Sequence, residues 1–327
     1  MLNVVVVGVG HLGRHHARIL SQIANVNLLG VIDPDRNQGN SVAAIAKSQW
    51  YADFDSTLLA KTDCAVIAVP TSLHLQCAEP LLKASIPCLI EKPMAQTASE
   101  CRKILDLAEE NNTFVAVGHV ERFNPAVKRA MEKGVEARFM EAHRLAAYSF
   151  RSTDVGVVLD LMIHDIDLSH AWTGSDVIGV DAVGGSTFSP SEDIASARLH
   201  FNNGAVANLT ASRLSLKPMR RFRVFGPDAY LSIDSHSKYA LLAKKSKSFS
   251  VDLMSEIMKS DSPQTQFERL LDIEELVLDD DEPLRVELEE FLLAVEKKPS
   301  RVVTGREGMQ AVEVAEEVIQ QLNSCRW

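Results

Sequence analysis

The chain has 327 residues, 46% hydrophobic and 24% charged, which is the composition of a globular protein with length for two domains at roughly 150 residues each. Its 34 basic and 44 acidic residues leave a net charge of −10 without a dense basic patch, so nucleic acid is not an expected partner. No run approaches the ~18 apolar residues that cross a bilayer, and the five cysteines lack CxxC spacing, so the expectation is a protein of the reducing cytoplasm with no membrane, disulfide framework or metal.

Up to about residue 120, short β-branched runs at 3–7, 26–32, 64–69, 87–90 and 113–117 alternate with amphipathic segments such as 72–84 and 97–112. That alternation predicts strands buried on both faces and an α/β domain with a doubly wound parallel sheet. The first run passes directly into glycines, with neither a basic leader nor a small-residue cleavage site.

GVGHLG follows the first strand and opens a helix, the setting a dinucleotide-binding turn requires. Gly8 permits the tight turn, Gly10 lets backbone approach a pyrophosphate, and Gly13 lets helix pack on strand, with His11 and Leu12 between them at the helix N-terminus. Asp33 ends the second strand twenty positions after Gly13, where a carboxylate accepts hydrogen bonds from an adenosine ribose. It would repel a 2′-phosphate, which favours NAD over NADP, although nearby Arg36 could pair with that phosphate. Later strand ends add Pro70, Thr71 and His74 from AVPTSLH, and Glu91, Lys92 and Pro93 from LIEKPMA. Ligands gather at such ends, and helix capping or a surface charge is the competing reading for each polar residue.

Past Arg122-Phe123-Asn124-Pro125 the texture changes. Arg122 is expected against cofactor or substrate, His119 at the cleft, and Phe123 and Pro125 in packing and helix initiation. A helix over 125–133 ends at Gly134, and strand-like sequence runs over 136–146 and 177–188. Between them LDLMIHDIDL, residues 159–168, reads as a helix carrying Asp160, His164 and Asp167 on one stripe at 100° per residue. Residues 193–213 alternate around Asn203-Gly204, a pair suited to a two-residue hairpin turn, and Gly226-Pro227-Asp228 marks another turn. Successive hairpins predict a second, α+β domain with a largely antiparallel open sheet. The acidic run 279–282 reads as a solvated loop, and amphipathic helices over 284–295 and 307–322 are expected to return to the first domain. The expected division is therefore 1–122 for the cofactor, 123–283 for substrate and oligomerisation, and 284–327 for the returning helices.

GVGHLG, EKP at 91–93, GHVERFNP at 118–125 and DLMIH at 160–164 together resemble the glucose-fructose oxidoreductase, inositol dehydrogenase and rhizopine-catabolism family (Gfo/Idh/MocA), over essentially the whole chain. The resemblance implies an NAD(P)-dependent oxidoreductase of sugars or polyols with a Rossmann domain and an oligomer-forming sheet. It makes Lys92 the active-site lysine and Asp160 and His164 its acidic residue and histidine. DVGVVLDLMIHDIDL at 154–168 looks most like the branch of UDP-N-acetylglucosamine 3-dehydrogenases. Where that branch often has a proline-rich basic stretch, this chain has HRLAAYSFRST, with Arg144 and Arg151 the expected grip on a diphosphate.

Alcohol oxidation needs a base near the working pH. His164 suits that role with Asp160 orienting it, Lys92 would stabilise alkoxide charge, and a buried Lys92 is the alternative base. Asp167 shares the stripe and is assigned to substrate beside His119. The competing substrates are inositol or a free sugar, and a non-catalytic NAD-binding redox sensor is the reading of another class. A half-covered sheet predicts a homodimer or homotetramer.

Overall fold

The computed structural model describes residues 1–148, 155–260, 262 and 266–324. The first sheet holds β1 (Leu2–Val7), β2 (Val26–Ile32), β3 (Gln49–Tyr51), β4 (Cys64–Ile67), β5 (Cys88–Glu91) and β6 (Val115–Gly118). All are parallel, in the order β3-β2-β1-β4-β5-β6. Helices α1 (Gly13–Leu20), α2 (Arg36–Ala46), α3 (Ser56–Leu59), α4 (His74–Lys83) and α5 (Ala98–Glu110) connect the strands. Val4, Val5, Val6, Val66 and Ile67 are wholly buried, as the continuous β-branched runs require of strands covered on both sides. Local chemistry starts the helices: the Asp35 carboxylate accepts from Asn37 N and Gln38 N, and Thr97 Oγ1 accepts from Glu100 N while the Glu100 carboxylate accepts from Gln96 N.

After α6 (Pro125–Met131), whose first turn Asn124 caps, the chain builds an eight-stranded sheet. Its strands are β7 (Phe139–Leu145), β8 (Val177–Gly185), β9 (Ile194–Phe201), β10 (Val206–Ser212), β11 (Met219–Phe225), β12 (Ala229–Asp234), β13 (Tyr239–Lys245) and β14 (Leu271–Glu275). The order is β14-β13-β12-β11-β7-β10-β9-β8, antiparallel except where β7 runs parallel to β10. The β9–β10 turn differs from the two-residue expectation. Phe201 N donates to Ala205 O and Gly204 N to Phe201 O, so the loop is residues 202–204, with Gly204 alone at positive φ (+84°) and the Asn203 side chain accepting from Ala205 N. A three-residue loop needs only one left-handed residue, which the glycine supplies.

One face of this sheet buries Ala195, Ala197, Leu199, Leu209 and Phe222 toward α7 (Ile163–Thr173). The other carries Glu141, Ser196, Arg198, Asn208 and Thr210 and bounds an open groove of about 490 Å3. Beyond α8 (Val251–Met258) come α9 (Pro283–Val295) and α10 (Gly305–Ser324). Leu288 and Phe291 of α9 join Val4, Val6 and Val66 in one apolar cluster, as expected of a returning helix. Just before α10, Val117 N donates to Val303 O and Thr304 bridges Ala116, closing the edge that β6 would expose. α10 packs on α5, and it also packs on β8 and α7 of the other sheet, which the sequence did not suggest.

Candidate active site

Gly8 sits at φ +79° and donates its N–H to Ile32 O at 2.8 Å. A Cβ on Gly13 would lie 1.8 Å from Gly8 O, whereas one on Gly10 would meet nothing within 4 Å. Close helix packing and an open approach to backbone are what a pyrophosphate site needs. Asp33 Oδ2 accepts from Val9 N at 2.9 Å and Oδ1 from Asp35 N at 2.8 Å, so the carboxylate orders the turn while each oxygen keeps a lone pair. These residues fit a dinucleotide.

Leu12 and the 68–71 loop, which contains Pro70 and Thr71, meet Lys92, Pro93, Val155 and Asp160 around a cavity of about 120 Å3. The Lys92–Pro93 peptide is cis. Behind it His74 is buried, with Nδ1 3.0 Å from Pro93 O and Nε2 3.0 Å from Val69 O, so its ring ties the two loops together. Glu91, expected at the cofactor, is buried beneath the loop and accepts from His16 Nε2 at 2.6 Å. Burial alone would raise the Glu91 carboxyl, but the hydrogen bond and charge of His16 hold it below the usual carboxylate range. His16 is a partner that sequence reasoning missed. Its place on the inward face of α1 was the one available signal.

The helix bearing the polar stripe begins with a π turn, Val158–Met162, and continues as α7. Its start is tied to the β8–β9 loop, because Val157 N donates to Glu192 O and Val158 N to the Glu192 carboxylate. Lys92 Nζ donates to Asp160 O at 2.7 Å and to Asp160 Oδ1 at 3.3 Å. An unbroken α ladder would leave that carbonyl to the amide four residues on. His164 is half-buried with an enclosed Nδ1. Burial first, then the charges of Lys92 and Arg144, push its imidazole well below the ordinary value, which keeps it neutral at physiological pH.

The stripe therefore runs from the cleft into the interior, and four assignments change with it. Asp167 is buried and binds Arg122 through both oxygens, at 2.7 and 2.8 Å. Arg122 also holds Glu307 at 2.7 Å, so it is committed to α7 and α10 and not to a ligand. Arg144, expected on a diphosphate, points to the covered face of β7 and is buried against Asp165 and Glu121 at 2.8 and 3.0 Å. His119 is wholly buried beneath the cleft and does not line it. Arg151 lies outside the described residues. Glu287 of α9, also unforeseen, is fully buried without a hydrogen-bond partner among the described residues. Burial and the neighbouring Glu91 and Asp167 push its carboxyl well above the usual range. A larger cavity, about 630 Å3, lies behind the Arg122–Glu307 pair, and another of about 640 Å3 is lined by Gly10 and His11 of the glycine turn with Gln38 and Ser41 of α2, whereas Lys92 and Asp160 line the smaller one, which the turn reaches through Leu12.

Two family profiles match the chain, one described as oxidoreductase family, NAD-binding Rossmann fold, over residues 2–119, the other as oxidoreductase family, C-terminal alpha/beta domain, over 142–327. A UDP-N-acetylglucosamine 3-dehydrogenase of Acidithiobacillus ferrooxidans is 41% identical over 230 residues, covering 70% of this chain and 72% of the relative. A solved structure of the enzyme of that name from the same organism superposes with a TM-score of 0.86 at 33% identity, covering 99% of this chain and 98% of the other. A scyllo-inositol 2-dehydrogenase (NAD(+)) of Bacillus subtilis is 25% identical over 75% of this chain and 78% of its own. Levoglucosan dehydrogenase in complex with NADH shares the fold, with a TM-score of 0.83 at 16% identity, covering 99% and 97% of the two chains.

Proposed function

Because this chain belongs to the Gfo/Idh/MocA oxidoreductase family, we propose that it oxidises the 3-hydroxyl of UDP-N-acetylglucosamine, or of a close nucleotide sugar, with NAD. One observation carries the proposal: Lys92 Nζ, bound to Asp160 at 2.7 and 3.3 Å, stands in a cavity that Leu12 of the glycine turn also lines, with a neutral His164 on the next turn of the helix. Bound nicotinamide supplies the hydride acceptor. The Lys92 ammonium, already a donor to Asp160, stabilises negative charge developing on the substrate oxygen. His164, neutral and with a free pair on one nitrogen, takes the hydroxyl proton. Asp160 holds Lys92 in line, and Asp33 at the end of β2 disfavours a 2′-phosphate.

NADH formation with UDP-N-acetylglucosamine, free N-acetylglucosamine, inositols and glucose tests the substrate. Turnover of an inositol or a free sugar in preference to the nucleotide sugar would overturn the choice of substrate. NAD binding without turnover of any of them would favour a redox sensor, a role that gives no use to a lysine bound to a carboxylate with an imidazole one turn along the same helix. We also propose a homo-oligomer through the polar face of the eight-stranded sheet, where Phe139, Phe225 and Tyr230 cluster and Val183 is half exposed. Light scattering that gives a monomer at micromolar concentration would reject it. A cytoplasmic setting accords with the free thiols of Cys64, Cys77, Cys88 and Cys101.

A further inference from the structure

With Arg144 committed to the interior, the register of the eight-stranded sheet brings forward another arginine. β11 pairs with β7 so that Arg220 stands directly opposite Arg144. Residues opposite one another project from the same face, so Arg220 shares the face that α7 covers. It is the second residue of β11, at the sheet end where β7 finishes and from which the chain runs on to Val155 and Asp160 of the cleft. The two arginines differ in what holds them. Arg144 is buried and donates to Asp165 at 2.8 Å and to Glu121 Oε1 at 3.0 Å. The Arg220 side chain is 51% exposed and meets that same Glu121 oxygen only at 3.7 Å, too long for a hydrogen bond. Arg122 and Arg213 are, like Arg144, bound to buried carboxylates, Asp167 and Asp193, at 2.7 and 2.8 Å. Two like charges set directly opposite repel, and a half-exposed guanidinium kept in such a place with its fork of donors unfilled suits an anion.

Arg220 is also close to the chemistry. The His164 imidazole is lowered first by burial and then by Lys92, Arg144, His119 and Arg220 in that order, so the field of this guanidinium reaches the ring. The cavity lined by Lys92 and Asp160 holds about 120 Å3, whereas a drug-sized ligand fills roughly 300 Å3 or more. It admits the reacting end of a sugar, and the remainder of a nucleotide sugar lies outside it. We infer that Arg220 binds the diphosphate of the substrate, its two terminal nitrogens donating to phosphate oxygens, and so selects a nucleotide sugar over a free one. The inference rests on the nucleotide-sugar reading and names the residue that would enforce it. In UDP-N-acetylglucosamine the diphosphate is joined at C1, one ring-width from the 3-hydroxyl, so a cation just beyond the proton acceptor stands where that charge falls.

Isothermal titration of the NADH-loaded chain with UDP and with uridine reads the contact directly, because the two probes differ only in the diphosphate. UDP should bind the native chain at least tenfold tighter than uridine, and its affinity should fall as salt is raised. Arg220→Gln should weaken UDP tenfold or more and leave uridine unmoved. Arg220→Lys keeps the charge and loses the fork, so it should fall between the two, and it still decides if the glutamine variant does not fold. In turnover the loss should appear as a raised KM for UDP-N-acetylglucosamine, narrowing its preference over free N-acetylglucosamine, with kcat down no more than a few-fold. UDP affinity equal in the native chain and both variants would overturn the inference, as would a native chain that does not tell UDP from uridine. A fall in kcat alike for both sugars with KM kept would make Arg220 only a charge acting on His164, and would overturn it too. If the native chain oxidises no nucleotide sugar while Arg220→Gln still loses UDP, the proposed reaction fails and the diphosphate site stands. If UDP-N-acetylglucosamine is oxidised with a KM that Arg220→Gln does not move, the reaction stands and the site fails.

Discussion

His164 and Lys92 divide one task by opposite chemistry: the imidazole is kept neutral by burial and nearby cations, and the amine is kept a donor by Asp160. Replacing either by alanine should cut kcat about 10²–10⁴-fold, the usual worth of a positioned acid or base, with NAD affinity within a few-fold of native; isothermal titration beside a turnover assay checks both. Titration should also mark stability. His74, His119, His164 and His170 all have their folded pKa lowered by burial, so below the unfolded value near 6.5 the unfolded chain binds more protons. Their contribution is complete above that pH and is lost as pH falls toward the folded values, so the melting temperature should drop on acidification from pH 7 to 5. Glu287 acts in the opposite sense: its folded pKa is raised, and stability declines as pH rises through it. Glu287→Gln should therefore raise the melting temperature at pH 7–8, and a lowered one would contradict a protonated Glu287. The nearness of Lys92 and Asp160, with His164 one turn on, was legible because a strand end and one helix face carry these residue types. Arg122, Arg144 and Asp167 were misread because Glu307, Glu121 and Asp165 reach them across long stretches of chain, and a charge whose partner is not local looks free.

At the scale of elements, the apolar runs of the first domain announced their strands, and the amphipathic segments 72–84 and 97–112 announced α4 and α5. The π turn was not announced. It arises where the β8–β9 loop grips the backbone of Val157 and Val158, and nothing in LDLMIHDIDL encodes that contact. β7 has a similar dependence, since Arg144 ties it to Asp165 on α7 and to Glu121 beyond β6. Arg144→Met would leave both carboxylates buried without their counter-charge, and it should cost ~3–5 kcal/mol in denaturant unfolding. The KM for the substrate should stay near native in protein that folds. A large KM increase without loss of stability would return Arg144 to the substrate site.

Across the whole molecule, the C-terminal segment fastens the two sheets. α9 completes the apolar cluster of the first domain, residues 303–304 close the β6 edge, and α10 lies against both layers. A chain ended after residue 282 would expose Val4, Val6 and Val66 along with an open strand edge, and it should be recovered aggregated or unfolded. Recovery of a soluble truncated form with native NAD affinity would show the first domain to be independent. The sequence by itself determined the alternation of strands and helices, the glycine turn, and which residue types stand at the strand end and along the helix, because periodicity, glycine spacing and side-chain type are local properties. Only the tertiary structure decided which charges face the cleft and which neutralise one another inside, because burial and pairing depend on segments far apart in the chain coming within a few ångströms.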